Sequence, residues 1–336
     1  MIRFAWLQFR TQAAIAAGAL AVIAVVLAVT APKLVHLYDT TVANCASYHD
    51  CSTARTNFTN TDGAIQIFVD LLVLVVPLLI GMFWGAPLVS REFEAGTFRL
   101  VWTQGITRTR WLAVKLGLGA LMSMAAAGLL SLMVTWWSAQ LDQVNADPFS
   151  TLQFGARDIV PIGYAAFGFA LGVTAGLLFR RLLPAILTAL IGIVTLREIV
   201  NAWVLPNLMT PFHKLLPITA STPVSVDQTS PDVVSAFENT RGVNIPNAWV
   251  YSVKIVDNAG RTPTTSFLKR ACPLGNYGPV NARECTASLA AKFHQLVTYQ
   301  PQSHYWPMQW YELAIFLGLS TVLGGCCYWR IRRPVR

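Results

Sequence analysis

A chain of 336 residues that is 54% hydrophobic and 12% charged lies far from soluble domains, where roughly a quarter of residues are charged. Its several apolar runs of about twenty residues are long enough to cross a hydrocarbon core about 30 Å thick, which excludes an ordinary soluble globule and predicts a polytopic membrane protein. The net charge of +9 comes from basic residues that flank the apolar runs, with no basic stripe and no zinc-finger or RNP signature, so a membrane surface is expected as the neighbour and nucleic acid is not.

The first twelve residues, MIRFAWLQFRTQ, put Ile2, Trp6 and Phe9 on one helical face and Arg3 and Arg10 on another. An interfacial helix or a plain membrane-surface anchor fits that pattern equally. The spans that follow are predicted at Ala13–Thr30, Ala64–Val89, Leu112–Trp137, Arg157–Phe179, Leu182–Leu205 and Tyr311–Tyr328. No run ends in a signal-peptidase site, so the first is expected to be retained. Arg3 and Arg10, then Arg91, Arg99, Arg108, Arg110 and Lys115, then Arg180 and Arg181, and last Arg330, Arg332, Arg333 and Arg336 all fall in connectors on one side. Basic residues in short flanking loops stay in the cytoplasm, which predicts both termini cytoplasmic in a plasma-membrane protein.

Three segments then face outward: 32–63, a short loop near 138–156, and 206–310, the last large enough for a small mixed α/β domain between the fifth and sixth spans. Within it, WVYSVKIVDNAGRTPTTSFLK (249–269) alternates about an Asn-Ala-Gly turn and predicts a hairpin. ECTASLAAKFHQLVTY (284–299) has apolar residues at helical spacing. YWPMQWY (305–311) supplies an aromatic belt where the sixth span enters the interface. Residues 311–336 form that span and a basic cytoplasmic tail. Cys45 and Cys51 lie in the first outer segment and Cys272 and Cys285 in the long one. Outside the reducing cytosol such thiols pair. Four cysteines allow three pairings, of which the local one, Cys45–Cys51 and Cys272–Cys285, is expected because the loops are short. Cys326 and Cys327, in the last span, are expected to act as small packing residues.

Ionisable groups inside spans are costly and are functional candidates by default. Asp70 lies roughly 9 Å inside the outer end of the second span and Arg197 roughly 12 Å inside that of the fifth, at 1.5 Å per residue. Opposite sign at similar depth predicts an Asp70–Arg197 pair near the outer end of a translocation route; the plain alternative is that each reaches interfacial water. Glu198 points about 100° from Arg197 and pairs poorly with it, whereas Asn201 shares its face.

One long charged passage directly joins two apolar segments: SREFEAGTFRLVWTQGITRTRWLAVK, 90–115. As a helix it places Phe93 and Leu100 on one azimuth, Phe98 and Trp102 roughly opposite, and Glu92 with Arg99 between. A helix lying freely on a membrane needs one apolar face; two opposed faces suit an element gripped between its own spans and a second surface. An amphipathic connector obeying the positive-inside rule is the plain alternative.

The passage resembles the loop after the second span of ABC-2-type permeases, the membrane subunits of ABC transporters. The matching residues are Glu92 or Glu94, Gly96, Thr97, Leu100, Arg108 and Lys115. VWTQGITRTRWLAVKLGLG is especially like actinobacterial permeases, and VTYQP with YWPMQWYE resembles the lead into their last span. The resemblance implies an all-α fold of six transmembrane helices with 1–12 as a cytoplasmic connecting helix, and a coupling loop at 90–111 in which Glu92, Glu94, Gly96, Thr97, Arg99, Leu100, Arg108 and Lys115 engage a cytoplasmic ATPase. It implies export of a hydrophobic or amphipathic substrate, two copies of the ATPase and a second permease copy. The chain itself has no G-x-x-x-x-G-K-[ST] phosphate loop. ATP and Mg are therefore expected on the partner, with no cofactor and no metal on this chain. It also has no G-x-S-x-G and no H-E-x-x-H, and its five histidines are dispersed, which argues against a membrane enzyme. NFT (57–59) matches a glycosylation sequon, a weak signal. The rival class is a non-transporting signalling or scaffold subunit acting through its outer domain.

Overall fold

In the computed structural model, the described residues are 2–43, 45, 52–94, 107–145, 147–218, 245–262, 264, 267, 270, 274–275, 278–279 and 282–332. They divide into a helical unit (Met1–Ala146, Ser150–Leu208 and Trp306–Arg336) and a second unit (Asp147–Phe149 and Met209–Tyr305).

The helical unit contains α1 (Ile2–Tyr38), α2 (Ser52–Ile80), α3 (Ala86–Glu94), α4 (Arg108–Asn145), α5 (Thr151–Ala156), α6 (Val160–Phe179), α7 (Leu182–Ile199), α8 (Leu205–Leu208) and α10 (Tyr305–Arg332). Among the described residues, six segments are long and apolar enough to cross a membrane: Arg10–Ala43, Gly63–Glu94, Thr109–Asn145, Val160–Phe179, Leu182–Leu208 and Gln302–Arg332. These are the six predicted, in order; five run longer than predicted and the fourth starts three residues later. The predicted outer loop at 138–156 is in large part helical, because α4 runs on to Asn145 and α5 forms at Thr151, its first turn capped by the Ser150 hydroxyl accepting from Gln153 N–H. Arg157, predicted as the first residue of a span, is instead the residue that ends α5.

Membrane boundaries can be read from exposed aromatics. On α10, Trp310 and Tyr311 are exposed at one end and Tyr328 and Trp329 at the other, followed by Arg330 and Arg332. Eighteen residues separate Trp310 from Tyr328, about 27 Å of helix, close to the thickness of a hydrocarbon core.

The centre of the bundle is α6, 72% buried over its span, whereas α1 is only 6% buried. The reason is glycine. Gly168, Gly172 and Gly176 recur every four residues on α6, and a Cβ at Gly168 or Gly176 would sit 2.7 Å from the Pro77 or Ala86 carbonyl oxygen; one at Gly172 would strike the Gly81 carbonyl. Opposite them, a Cβ at Gly85 would lie 2.6 Å from the Phe169 carbonyl. Small residues let transmembrane helices approach to backbone contact. The α2 backbone widens into a π turn at Gly81–Gly85, four residues after Pro77, whose missing N–H already interrupts the helical ladder.

The second unit holds an antiparallel sheet in the order β1 (Phe212–Pro217), β5 (His294–Gln300), β2 (Trp249–Val256), with a short β3–β4 pair (Leu274–Gly275 and Gly278–Pro279) and α9 (Ala282–Ala290). The predicted turn after β2 forms: Asp257 N–H donates to Arg261 O at 2.9 Å, and the Asp257 carboxylate accepts from the Arg261 and Ala259 amides, which holds its pKa below the ordinary carboxylate value. The predicted hairpin does not. β2 pairs with β5, Val253 facing Val297, and no described residue of 261–270 is in a strand. The predicted helix over 284–299 also fails in its second half. α9 stops at Ala290, Phe293 N–H closes the turn on Leu289 O, and β5 begins at His294. Gln295, Val297 and Gln300 are buried in a strand, where a β-branched and aromatic run (Val297, Thr298, Tyr299) is at home. Phe149 stacks on Trp249 at 6.2 Å between ring centres.

Candidate functional site: two polar clusters in the membrane unit

The passage that joins α3 to α4 is described only at its stems; Gly96, Thr97, Arg99 and Leu100 lie outside the described residues, and Arg108 is placed only as the first residue of α4. The stems are tied together. Lys115 on α4 forms an ion pair with Glu92 on α3, the lysine being 2% exposed and the glutamate 16%. The Lys115 ammonium also lies 4.7 Å from the centre of the Trp111 ring. Glu94, at the end of α3, accepts from Leu182 N–H, the first residue of α7, at 2.8 Å. Arg180 lies over Phe93 at 5.7 Å, and its left-handed backbone (φ 54°) turns the chain from α6 into α7. Glu92 and Lys115 were both expected to meet a partner protein. Here Lys115 is turned into the bundle, because its stem crosses apolar surface and its charge finds Glu92.

A second cluster gathers round α5. Asp70 on α2 is 1% exposed and forms an ion pair with Arg157. The predicted partner, Arg197, lies elsewhere; Arg157, two residues before α6, supplies the charge. Arg157 also reaches Asp142 on α4 at 3.2 Å. Asp142 in turn accepts from Gln66 and Ser138, each at 2.7 Å, and Asn145 donates to Gln66 at 2.9 Å. A buried charge is tolerable when paired and hydrogen-bonded, and each of the three Arg157 nitrogens donates to a carboxylate.

The carbonyls of α5 are met by side chains from other spans. Arg197 on α7 donates to Thr151 O at 3.3 Å, Gln309 on α10 to Phe154 O at 3.0 Å, and Ser131 on α4 to Ala156 O at 3.4 Å. Arg197 also lies 5.9 Å from the Tyr164 ring centre, and Tyr164 donates to the fully buried Glu312 of α10 at 2.5 Å. Glu198 is 60% exposed and only 3.9 Å from Arg197, a loose contact as its helical offset predicts. Asn201 falls in the π turn Val200–Val204 that follows α7.

Sequence reading therefore found Asp70 and Arg197 but missed Arg157, Asp142, Tyr164, Gln309 and Glu312. The signals were present: Arg157 interrupts an apolar passage, and Glu312 is the lone acid of the last span. Among cysteines, Cys45 and Cys285 are disulfide-bonded, and Cys326 and Cys327 are free thiols, the latter buried and in contact with Thr174. Cys51 and Cys272, the expected partners, lie outside the described residues.

No curated protein and no solved structure matches the chain. A family model does: ABC-2 membrane transporter related, over residues 17–205, which runs from within the first predicted span to the end of the fifth and takes in both polar clusters except the α10 side chains. Permeases of this kind are non-catalytic membrane subunits that work with an ABC ATPase. The chain belongs to the ABC-2 membrane transporter related family and is a multi-pass membrane component of an ABC-type transporter.

Proposed function

We propose that this chain is the permease that carries a hydrophobic or amphipathic substrate outward across the plasma membrane, driven by a separate cytoplasmic ATPase that docks on the 90–111 loop. Two permease copies and two ATPase copies make the working unit, both termini lie in the cytoplasm, and Cys45–Cys51 and Cys272–Cys285 close the outer segments. The observation that carries the reading is the braced stem. Glu92–Lys115 binds α3 to α4, and Glu94 binds α3 to α7, so a push on the loop tip moves three elements as one body. A short stiff element of this kind is what transmits a rigid displacement between subunits. In this reading Glu92 and Lys115 brace the loop, while Glu94, Gly96, Thr97, Arg99, Leu100 and Arg108 set its contact with the ATPase, where charge fixes register.

The test separates bracing from docking. Lys115→Met is expected to lower permease-stimulated ATPase activity about tenfold, a loss near 1.4 kcal/mol of coupling, while the two subunits still co-purify. The charge-swapped Glu92→Lys/Lys115→Glu double is expected to recover part of it. Glu94→Lys with Gly96→Trp is expected to lose co-purification itself, with membrane insertion intact. Full stimulation and full co-purification in all of these variants would sink the proposal.

A further inference from the structure

Glu312 of α10 is fully buried, and neither the braced stem nor the Arg157 cluster uses it. One of its carboxyl oxygens accepts from the Tyr164 hydroxyl of α6 at 2.5 Å. The other, Oε2, is buried and has no hydrogen-bond partner among the described residues. Arg197 of α7 lies over the Tyr164 ring at 5.9 Å, close enough for its charge to act on both groups. Its hydrogen bond nevertheless goes to Thr151 O of α5 at 3.3 Å, and its Nε is likewise buried with no partner among the described residues. An acid oxygen lacking a donor therefore neighbours a guanidinium N–H lacking an acceptor, and no bond joins the two.

The packing decides what can complete the set. A methyl on Gly155 of α5 would press on the Tyr164 hydroxyl at 3.3 Å and on Arg197 Nη2 at 3.4 Å. One on Gly163 of α6 would meet Leu313 and Phe316 of α10 at 3.2 Å, and the Phe316 ring stands edge-on to Tyr164 at 4.7 Å. A site this closed admits no substrate group, and no group of three metal-ligating side chains occurs among the described residues. A proton needs no room. Carried on Oε2 it removes the charge, and a buried neutral hydroxyl without a partner costs far less than a buried carboxylate without one. The titratable and charged groups facing Glu312 are Tyr164 and Arg197. The α5 segment, TLQFGA, carries none, Glu198 is 60% exposed, and Arg157 is engaged by Asp70 and Asp142.

We propose that Glu312 is a reversible proton-binding site, and that losing its proton moves Arg197 from α5 to α10. With the proton on Oε2, Tyr164 holds the neutral acid and Arg197 stays on Thr151 O. When the O–H bond breaks, the proton passes to bulk water and the electron pair stays on the carboxylate. Arg197 then neutralises that carboxylate and gives up Thr151 O, which unfastens α7 from α5. Acids at membrane depth work as proton relays in other membrane proteins. The site stands whether or not the chain exports a substrate, because it requires these helices alone.

The experiment uses the full chain in phosphatidylcholine vesicles and records infrared difference spectra between about pH 5 and about pH 9, a range above the ordinary glutamate value. A neutral carboxylic acid has a C=O stretch that a carboxylate lacks. Such a band is expected to vanish as the pH rises and to be missing at every pH in Glu312→Gln. In Tyr164→Phe it is expected to move to higher frequency, since the hydrogen bond to the carbonyl is gone. In Arg197→Met it is expected to persist at the top of the range, because the ionised form has lost its cation. Spin labels at Thr151→Cys on α5 and at the exposed Val194→Cys on α7, with Cys326 and Cys327 changed to serine, report the second half of the proposal. They are expected to separate as the pH rises and to hold still when Glu312→Gln is added. A band that Glu312→Gln leaves in place, a band that never titrates, or a label distance indifferent to pH overturns the proposal. If Glu312→Gln does not fold, a band unmoved by both Tyr164→Phe and Arg197→Met overturns it equally.

Discussion

Arg157 shows how much a single side chain can hold. It faces two carboxylates from different spans, Asp70 and Asp142, at 4% exposure. Removing one partner of such a group leaves an uncompensated buried charge, which costs about 3–5 kcal/mol. Arg157→Leu is therefore expected to lower the melting temperature of the detergent-solubilised protein sharply. Arg157→Leu combined with Asp70→Asn, which removes the orphaned charge as well, is expected to recover part of the loss. An Arg157→Leu protein as stable as its parent would show that the cluster is not structural. Sequence reading reached half of this cluster. The rule that charges inside spans need partners picked out Asp70, and depth matching then chose Arg197. That method fails where the chain folds back: Arg157 sits outside any span, and only α5, whose six residues leave no clear periodic trace, brings it level with Asp70.

Elements were legible where one physical pattern dominated. Length and hydropathy placed all six spans, because a helix crossing hydrocarbon must satisfy its backbone internally and has few alternatives. The 284–299 segment carried two patterns at once, helical spacing up to Ala290 and strand chemistry beyond it, and its pairing with β1 and β2 was invisible in the local run. Nor did spacing alone reveal what the glycines of α6 do. A Cβ on Gly172 has backbone on one side, the carbonyl of Gly81, whereas one on Gly117 has nothing within 4 Å. Gly172→Ala is accordingly expected to destabilise the bundle by about 1–3 kcal/mol through forced separation of α2 and α6. Gly117→Ala should be neutral or stabilising by up to about 1 kcal/mol, since alanine is the better helix former. Thermal unfolding in one detergent compares the two; equal melting points would remove the seam from the account.

On the scale of the whole molecule, function depends on which side each end of the bundle faces. In the proposed topology the α3–α4 loop lies in the cytoplasm, as its basic residues predict. A single cysteine introduced there as Thr103→Cys, with Cys326 and Cys327 changed to serine, should resist a membrane-impermeant maleimide added to sealed cells and react once the membrane is opened. Labelling of intact cells would invert the topology and place the proposed ATPase contact on the wrong side. At the far end of the bundle from that loop, α5 has a mechanical corollary. Its carbonyls and the guanidinium that follows it are fastened to α2, α4, α7 and α10 together. No pair of these helices can part there alone without stripping bonds shared with the rest. A door latched to four walls swings whole or stays shut, so a bundle fastened this way resists the partial openings through which a membrane would leak.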